Sequence, residues 1–341
     1  MTYKEIAQLI GISPAALSLA LNNKPGVSDA TRERVFQKVK EMGYDHLIKK
    51  SARQSTNLCF VVYKSHGEIL DQHPFFLLLM ESIENQARSY GFSILLMTID
   101  KRYPIEPQIA HLDGMDARGA LIFATEMLEQ DLVFFNKVQM PFVALDNDFT
   151  RLNINTVSIN NQMGTFQAIE HLAENGHEKI GYLRSSTRIS SFNEREKGFV
   201  DALSHFNLEL EPKFIFTTRY TEEGSYQDFR KHLNEKPELP TAFVTDDDTI
   251  ASGVMKALQE YGISIPDDIS IVGFNDRPSC EISSPPLTSI NVPKQSFGAE
   301  GIDTLMRLIE KKEQSETNGR SKKIRVATQL VVRGSTITRR M

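Results

Sequence analysis

The spacing of apolar residues divides the chain into two regions. Over the first 44 residues, apolar side chains recur every three or four positions. This spacing predicts helices at 2–10 and 13–22, separated by only two residues, one of which is glycine. A helix, a tight glycine turn and a second helix form the helix-turn-helix pattern. A third helix is predicted from Ser28, because serine is a good N-cap, to Gly43.

From residue 58 the pattern changes to short unbroken apolar runs that alternate with helical spacing. Unbroken apolar strands between helices are typical of a parallel sheet covered on both faces. The alternation begins again near Gly164, so the sequence predicts two doubly wound units. Strands are predicted at 58–63, 93–99, 119–123, 141–146, 157–160, 180–183, 214–216, 242–244 and 269–274. Helices are predicted at 75–90, 164–175, 195–206, 251–261 and 296–311.

Charge is distributed unevenly between these regions. Residues 1–57 contain nine Lys or Arg and five Asp or Glu, a net charge of +4. The whole chain carries −5, so residues 58–341 carry −9. A basic segment joined to an acidic body suits a protein that meets a polyanion at one end. The polar and basic stretch 45–57 is predicted to be a linker.

Composition narrows the class further. The two cysteines, Cys59 and Cys280, lie far apart, which favours a reducing compartment. There is no signal-peptide pattern and no run of about 18 apolar residues, so we expect a cytoplasmic protein with no membrane partner. The sequence also lacks a Gly-x-Ser-x-Gly elbow, a phosphate-binding Gly-Lys-Ser/Thr loop and a Gly-x-Gly-x-x-Gly motif. We therefore expect neither an enzyme nor a cofactor.

One group of His and Glu residues, at 171–178, resembles a metal site in composition alone. His171 and Glu174 are one helical turn apart, but Gly176 ends the helix before His177. Because the helix ends there, the four side chains do not share one face, and no metal is expected.

Several motifs resemble the lactose/galactose-repressor (LacI/GalR) family. In the first region these are the runs 6–13 (Ile-Ala-Gln-Leu-Ile-Gly-Ile-Ser), 22–28 (Asn-Asn-Lys-Pro-Gly-Val-Ser) and 42–44 (Met-Gly-Tyr). Further matches are 176–182, 248–253, 272–274, 285–290 and 331–336. The resemblance covers nearly the whole chain. It implies a three-helix helix-turn-helix headpiece followed by an α/β periplasmic-binding-protein-like core of two doubly wound parallel-sheet subdomains.

The same resemblance implies a domain division. The headpiece would be 1–44, the linker or hinge 45–57, and the effector-binding and dimerisation domain 58–341. Within the last, the first subdomain would comprise 58–158 and 288–324, and the second 159–287 and 325–341. The expected ligand site is the cleft between them, where parallel strands end.

The second helix is expected in the major groove of DNA. Ser13, Ser18 and Asn22 could hydrogen-bond to bases, and Ala15 and Ala16 could touch thymine methyl groups. Leu19 stands where the family often has an arginine, so we expect phosphate contacts and DNA shape to matter more than usual. The full set of candidate DNA-binding residues is Thr2, Tyr3, Ser13, Pro14, Ala15, Ala16, Ser18, Asn22, Ser28, Thr31 and Arg32.

Five residues are candidates for binding an effector: Phe75, Asp146, Arg195, Asp248 and Asn275. Arg195 matches the effector-binding arginine of the family and Asp248 the second member of its Asn-Asp pair. Asn275 stands where the family often has aspartate, and Phe75 matches a pocket aromatic. Asp146 follows the fourth predicted strand. Acids, an amide and a phenyl ring favour a sugar or sugar phosphate, with a nucleobase as the alternative.

These features predict a sequence-specific transcriptional regulator. As the resemblance implies, it would be a repressor that binds a near-palindromic operator in double-stranded DNA as a homodimer, under the control of a small-molecule effector. The competing hypothesis is a solute-binding protein with no regulatory role, against which the headpiece and the missing signal peptide both argue.

Overall fold

The computed structural model describes residues 3–21, 26–44, 55–70, 75–314 and 320–339. They fall into two compact units, Met1–Thr56 and Asn57–Met341. Thr2, Asn22 and most of the predicted linker lie outside the described residues, and so do the side chains of Tyr3 and Phe75. None of the described helices combines the length and apolar character needed to cross a bilayer.

The first unit contains the three predicted helices, α1 (Tyr3–Ile10), α2 (Pro14–Leu21) and α3 (Asp29–Glu41). The Ser13 hydroxyl accepts a hydrogen bond from the Ala16 N–H at 3.1 Å, and the Ser28 hydroxyl accepts one from the Thr31 N–H at 3.3 Å. The predicted cap at Ser28 is therefore formed, and Ser13 caps α2 in the same way. The three helices bury a common apolar core of Ile6, Ala7, Leu17, Ala20, Leu21, Val35 and Val39.

The second unit contains two six-stranded sheets. The first has the order β11-β5-β4-β3-β1-β2 and the second β12-β10-β9-β8-β6-β7. Every pairing is parallel except that of β10 with β12. The strands are β1 (Asn57–Lys64), β2 (Ser93–Asp100), β3 (Ala120–Phe123), β4 (Phe142–Leu145), β5 (Thr156–Ile159), β6 (Ile180–Ser185), β7 (Ile215–Thr218), β8 (Ala242–Thr245), β9 (Ser270–Asn275), β10 (Thr288–Asn291), β11 (Lys323–Val326) and β12 (Gln329–Val331).

Helices cover both sheets. They are α4 (Phe75–Ser89), α5 (Ile105–Asp113), α6 (Asn161–Glu174), α7 (Ser190–His205), α8 (Glu222–Asn234), α9 (Asp248–Glu260), α10 (Ser279–Ile282) and α11 (Lys294–Glu313). Helices α4, α5 and α11 pack on the first sheet, and α6 to α9 on the second. We call these two layers the first lobe and the second lobe.

The chain passes between the lobes three times, at residues 160, 292–293 and 327–328. The second passage lies later than the predicted boundary at 287/288. Thr288–Asn291 pairs with β9 of the second sheet, from Thr288 opposite Val272 to Asn291 opposite Asn275. The backbone of β9 has β8 on one side only, so β10 is needed to satisfy the other side. The third passage likewise follows Val326, since β11 belongs to the first sheet.

Close contact between α6 and α7 depends on Gly198. A Cβ atom there would lie 2.2 Å from the Thr165 hydroxyl oxygen and 2.7 Å from the Gln162 Cα atom. The second of these atoms is backbone and cannot rotate away. Any side chain at 198 must therefore push the two helices apart.

We predict that Gly198→Ala lowers the free energy of unfolding by about 1–3 kcal/mol, the usual cost of overpacking. Helix propensity alone would predict a gain of about 1 kcal/mol from the same change. Gly114→Ala is the control, because its added Cβ would meet only ordinary contacts, the nearest at 3.4 Å. Urea unfolding of both variants checks this, and a Gly198→Ala protein as stable as the wild type would contradict it.

Candidate functional site

Carboxyl ends of strands from both sheets surround a small cavity between the lobes. Its volume is about 30 Å³. Three of the predicted effector residues line it: Asp146, Arg195 and Asn275. The remaining wall is provided by Ile69, Leu70, Phe123, Thr125, Ile159, Ile189, Ser191, Phe192 and Asp247.

Arg195 projects from α7 and is only 4% exposed. Its Nε donates to the Asn161 side-chain oxygen at 2.9 Å, and its Nη1 donates to the Asp246 carbonyl oxygen at 2.5 Å. Its Nη2 lies 3.5 Å from the Asn275 side-chain oxygen. The guanidinium also stacks on Phe274, 3.7 Å from the ring centroid. These bonds use three of its five N–H groups, so it retains donors at the cavity wall.

Asp146 follows β4, and its side chain accepts a hydrogen bond from the Thr125 hydroxyl at 2.7 Å. Its φ angle of 66° lies in the left-handed region, which Asp and Asn tolerate better than most residues. Loss of solvation by burial raises the pKa of Asp146 to about 6, although the Thr125 hydrogen bond acts in the opposite direction.

Three successive acids, Asp246, Asp247 and Asp248, lie at the junction of β8 and α9, and all are fully buried. Only Asp247 lines the cavity. It caps α9 by accepting from the Thr249 N–H at 2.7 Å and hydroxyl at 2.6 Å, and it pairs with Arg277 at 3.1 Å.

Asp248, the predicted effector residue, does not line the cavity. Its side chain accepts from the Ser289 hydroxyl at 2.6 Å and from the Arg277 backbone N–H at 3.0 Å. It is the first residue of α9, one position past the cap, so its side chain turns towards β9 and β10 and away from the cleft. Burial, and then the Asp247 charge, raise the pKa of Asp248 to about 7.

The side chain of Asp246 also does not line the cavity. It accepts from the Tyr182 hydroxyl and the Ser185 N–H, both at 2.7 Å, and from Arg188 at 2.5 Å. Burial raises its pKa to about 6. Its backbone carbonyl oxygen, by contrast, accepts a hydrogen bond from Arg195.

Asn275 is the last residue of β9, and its side chain bridges Asp247 and Arg195. Its amide nitrogen donates to an Asp247 carboxylate oxygen, and its amide oxygen faces Arg195. Phe75 begins α4, but nothing is described of its side chain. In the described part of the wall, the aromatic rings come from Phe123 and Phe192.

Sequence reasoning missed Thr125, Ser191, Phe192 and Asp247 as lining residues. Thr125 lies two residues after β3, so the rule that ligands bind at the carboxyl ends of parallel strands could have found it. Asp247 could have been found as the N-cap of α9, because aspartate is a favoured N-cap and the cap residue lies between the end of the strand and the start of the helix.

In the headpiece, the start of α2 presents Ser13, Pro14 and Ala15 as exposed residues, with Ala16 and Ser18 half-buried. Leu19 is half-buried against the loop, where a Cβ on Gly26 would lie 3.2 Å from its side chain. On α3, Ser28 is exposed, and Thr31 and Arg32 are half-buried. Candidates Thr2 and Asn22 lie outside the described residues.

Among the described residues, no group of three or more His, Cys, Asp or Glu side chains is arranged to hold a metal ion. His171 bonds to the Thr336 hydroxyl at 3.0 Å, and His177 to the Ile337 carbonyl oxygen at 3.2 Å. These histidines therefore fasten the C-terminal segment to the second lobe.

Comparison with known proteins agrees with both units. Residues 2–46 match the family described as bacterial regulatory proteins, lacI family, and residues 169–336 match the periplasmic binding protein-like domain. The chain is 29% identical to the HTH-type transcriptional repressor PurR of Glaesserella parasuis over 98% of both chains. It is 28% identical to the ribose operon repressor of Haemophilus influenzae over 91% of this chain and 92% of that one. The structure of the lac repressor dimer bound to operator and the anti-inducer ONPF matches with a TM-score of 0.70, at 24% identity over 99% of both chains.

A helix-turn-helix headpiece joined to a two-lobed cleft defines a DNA-binding transcriptional repressor with an effector-binding domain, and not an enzyme. The chain belongs to the LacI family of bacterial regulatory proteins.

The raised pKa of Asp146 predicts a pH dependence of stability. The fold favours the protonated acid, so this group stabilises the fold fully below its ordinary pKa, near 4, and the contribution disappears as the pH rises through about 6. Asp146→Asn removes this titration and preserves an acceptor for Thr125. We therefore expect the variant to gain stability relative to the wild type between pH 4 and pH 6.

Asp228→Asn is the control of opposite sign. Hydrogen bonds from Arg219 hold the pKa of Asp228 below its ordinary value, so this substitution should cost more stability at pH 6 than at pH 3. Urea unfolding across this pH range measures both effects. Parallel curves for Asp146→Asn and the wild type would show that Asp146 is not protonated preferentially by the fold.

Proposed function

We propose that this repressor binds a near-palindromic operator as a homodimer and that a small neutral sugar, bound in the cleft between the lobes, changes its affinity for DNA. The observation that carries the effector assignment is the cavity where Asp146, Asp247 and Arg195 meet. The headpiece and the LacI-family membership carry the operator assignment.

The charges at the cavity favour a neutral ligand. Two carboxylates, that of half-buried Asp146 and that of buried Asp247, line the cavity with one guanidinium, that of Arg195, and Asp247 also pairs with Arg277. A phosphate or carboxylate ligand would be repelled by two acids, whereas sugar hydroxyl groups can donate to the acids and accept from the arginine. Phe123 and Phe192 offer ring faces for the apolar side of a sugar. A neutral sugar is therefore favoured over a sugar phosphate.

A nucleobase is the second candidate, because an asparagine beside aromatic rings can pair with a base edge. Here both atoms of the Asn275 amide are already engaged, the nitrogen with Asp247 and the oxygen with Arg195. The amide keeps one N–H and one lone pair, but its orientation is fixed by Asp247 and Arg195, so a base could pair only along these remaining directions. The arrangement therefore supports the sugar more strongly.

Dimerisation follows from the small size of the DNA-reading unit. A single three-helix unit contacts few base pairs, and two copies on a two-fold symmetric site double the contacts. The lac repressor structure matched above is a dimer on its operator.

The DNA assignment predicts that Ala15→Glu abolishes DNA binding, because a carboxylate at the exposed start of α2 would meet phosphates and acceptor atoms of the major groove. Gln37→Glu adds the same charge at an exposed position of α3, roughly on the opposite side from Arg32, and should bind nearly as the wild type does. Gel shifts with random DNA at low and moderate salt test this. Equal losses for both variants would show that only net charge matters, and no loss for Ala15→Glu would reject α2 as the reading helix.

The effector assignment predicts thermal stabilisation by D-ribose or cellobiose exceeding that by ribose 5-phosphate or adenine. Arg195→Ala should abolish it and Arg195→Lys should weaken it, because lysine retains the charge without the planar set of donors. Arg230→Ala is the control, since Arg230 also stacks on an aromatic ring, that of Tyr226, but is exposed and away from the cavity. Undiminished stabilisation of Arg195→Ala would reject the assigned pocket, and a larger shift with adenine would favour the nucleobase.

A further inference from the structure

Glu126 is a buried acid that the effector assignment does not use. It lies three residues after β3 and is 2% exposed. One carboxylate oxygen accepts from the backbone N–H groups of Ser65, His66 and Gly67 at 2.9, 3.1 and 2.8 Å. The other accepts from the N–H groups of Ile69 and Leu70, both at 3.1 Å. We call residues 65–70, wrapped around this carboxylate, the Glu126 loop.

Five backbone hydrogen bonds to one charged acceptor fix the conformation of the Glu126 loop. Hydrogen bonds to an ionised acceptor are stronger than those between neutral groups. Loss of this carboxylate would remove the acceptor of five backbone N–H groups at once. The loop is therefore a firmly held extension of the first lobe.

The loop points Ile69 into the second lobe. Its side chain is 1% exposed and belongs to the same apolar cluster as Leu183, Ile189 and Phe192, which all lie on β6 or α7 or just before it. Ile69 also lines the effector cavity next to Arg195. Its backbone is thus anchored in the first lobe while its side chain is buried in the second.

The preceding residue makes a polar contact across the same boundary. The Glu68 carboxylate accepts a hydrogen bond from the hydroxyl of Thr187, in the segment between β6 and α7. Two neighbouring residues of one loop, one polar and one apolar, therefore both bind the second lobe.

The volume of the cavity shows that a ligand is excluded while these contacts are in place. The cavity beside Ile69 measures about 30 Å³, room for only one or two water molecules. Pockets for small molecules commonly measure about 300–1,000 Å³. A sugar ring therefore cannot enter while Ile69 occupies its place among Ile189 and Phe192.

We propose that Glu68 and Ile69 form an internal latch that closes the cleft, and that the effector and the Ile69 side chain compete for the same space. Withdrawal of Ile69 is then a required step of effector binding, and the packing of this one side chain sets the apparent affinity for effector. The latch depends on the proposed function only for the identity of the effector that competes with Ile69.

Opening of the cleft can be measured without any effector by the reactivity of a thiol inside it. Ser191 lines the cavity and is 4% exposed, so Ser191→Cys in the full-length chain places a thiol that reacts with N-ethylmaleimide only when the cleft opens. Native Cys59 and Cys280 are buried away from the cavity and report general loosening of each lobe.

Ile69→Ala should accelerate modification at position 191 about tenfold or more, because the closed state loses the burial of most of one large apolar side chain. Rates at Cys59 and Cys280 should stay unchanged, and Ile69→Val should give an intermediate rate at 191. Equal rates at 191 with and without the substitution would overturn the latch. Equal acceleration of all three thiols would overturn it too, since it would indicate general unfolding.

The competition has its own readout. For whichever of D-ribose and cellobiose stabilises the wild type more, Ile69→Ala should lower the half-saturating concentration about tenfold. An unchanged value would contradict competition. Failure of both sugars to stabilise either protein would count against the proposed effector class, while the labelling rates would still decide the latch.

Discussion

The burial of one guanidinium, that of Arg195, organises the second-lobe side of the cleft. A charge taken out of water must be hydrogen-bonded on several sides to be tolerated. Arg195 meets this requirement with partners from three places in the chain: Asn161 at the start of α6, the carbonyl of Asp246 after β8, and Asn275 at the end of β9. Stacking on Phe274 covers one face of the guanidinium plane. The positions of these strand ends are thereby coupled to a single side chain.

The network continues from Arg195 into the first lobe. Asn161, which accepts from Arg195, donates to Glu194 at 2.9 Å. Glu194 lies 3.7 Å from Arg325 on β11, and Arg325 in turn pairs with Asp148 at 2.5 Å. Both Asp148 and β11 belong to the first lobe, so a chain of charged and amide groups crosses the cleft. Rearrangement at Arg195 would be transmitted along it to the other lobe.

Much of the fold could be predicted because its signals are local. The serine caps at Ser13 and Ser28 and the unbroken apolar strands depend on neighbours within a few residues. Helices α5 and α8 were not predicted, since α8 (Glu222–Asn234) is rich in charge and its apolar face is narrow. Strand β10 was assigned to the wrong lobe because its partner, β9, lies some 15 residues earlier and nothing in the four residues themselves specifies the sheet.

The same limit, that only local signals can be read from the sequence, applies to the individual residues of the candidate site. Family resemblance led to Arg195 and Asn275, and the position after the fourth predicted strand led to Asp146; the structure brings all three together. The resemblance pointed to Asp248, whereas the structure places Asp247 at the cavity. Asp247 is the N-cap of α9 and Asp248 the first helical residue, so the two side chains point in different directions, which a motif match does not show. Glu126 gave no signal at all, since its five backbone partners lie more than 50 residues earlier and bind through N–H groups that carry no residue identity.

The two walls of the cleft are built differently, and this difference determines where movement can occur. On the second lobe, Arg195, Asp247 and Asn275 bind one another, so that wall is a fixed network. On the first lobe, the Glu126 loop is fixed to its own lobe and contacts the other through Glu68 and Ile69. Between the lobes, the chain passes at residues 160, 292–293 and 327–328, short connections that can absorb a hinge rotation. Opening would break the contacts of Glu68 and Ile69 and the Glu194–Arg325 pair, whereas the hydrogen bonds among Arg195, Asn275 and Asp247 lie within one lobe. A ligand would therefore meet a second-lobe surface that is already formed.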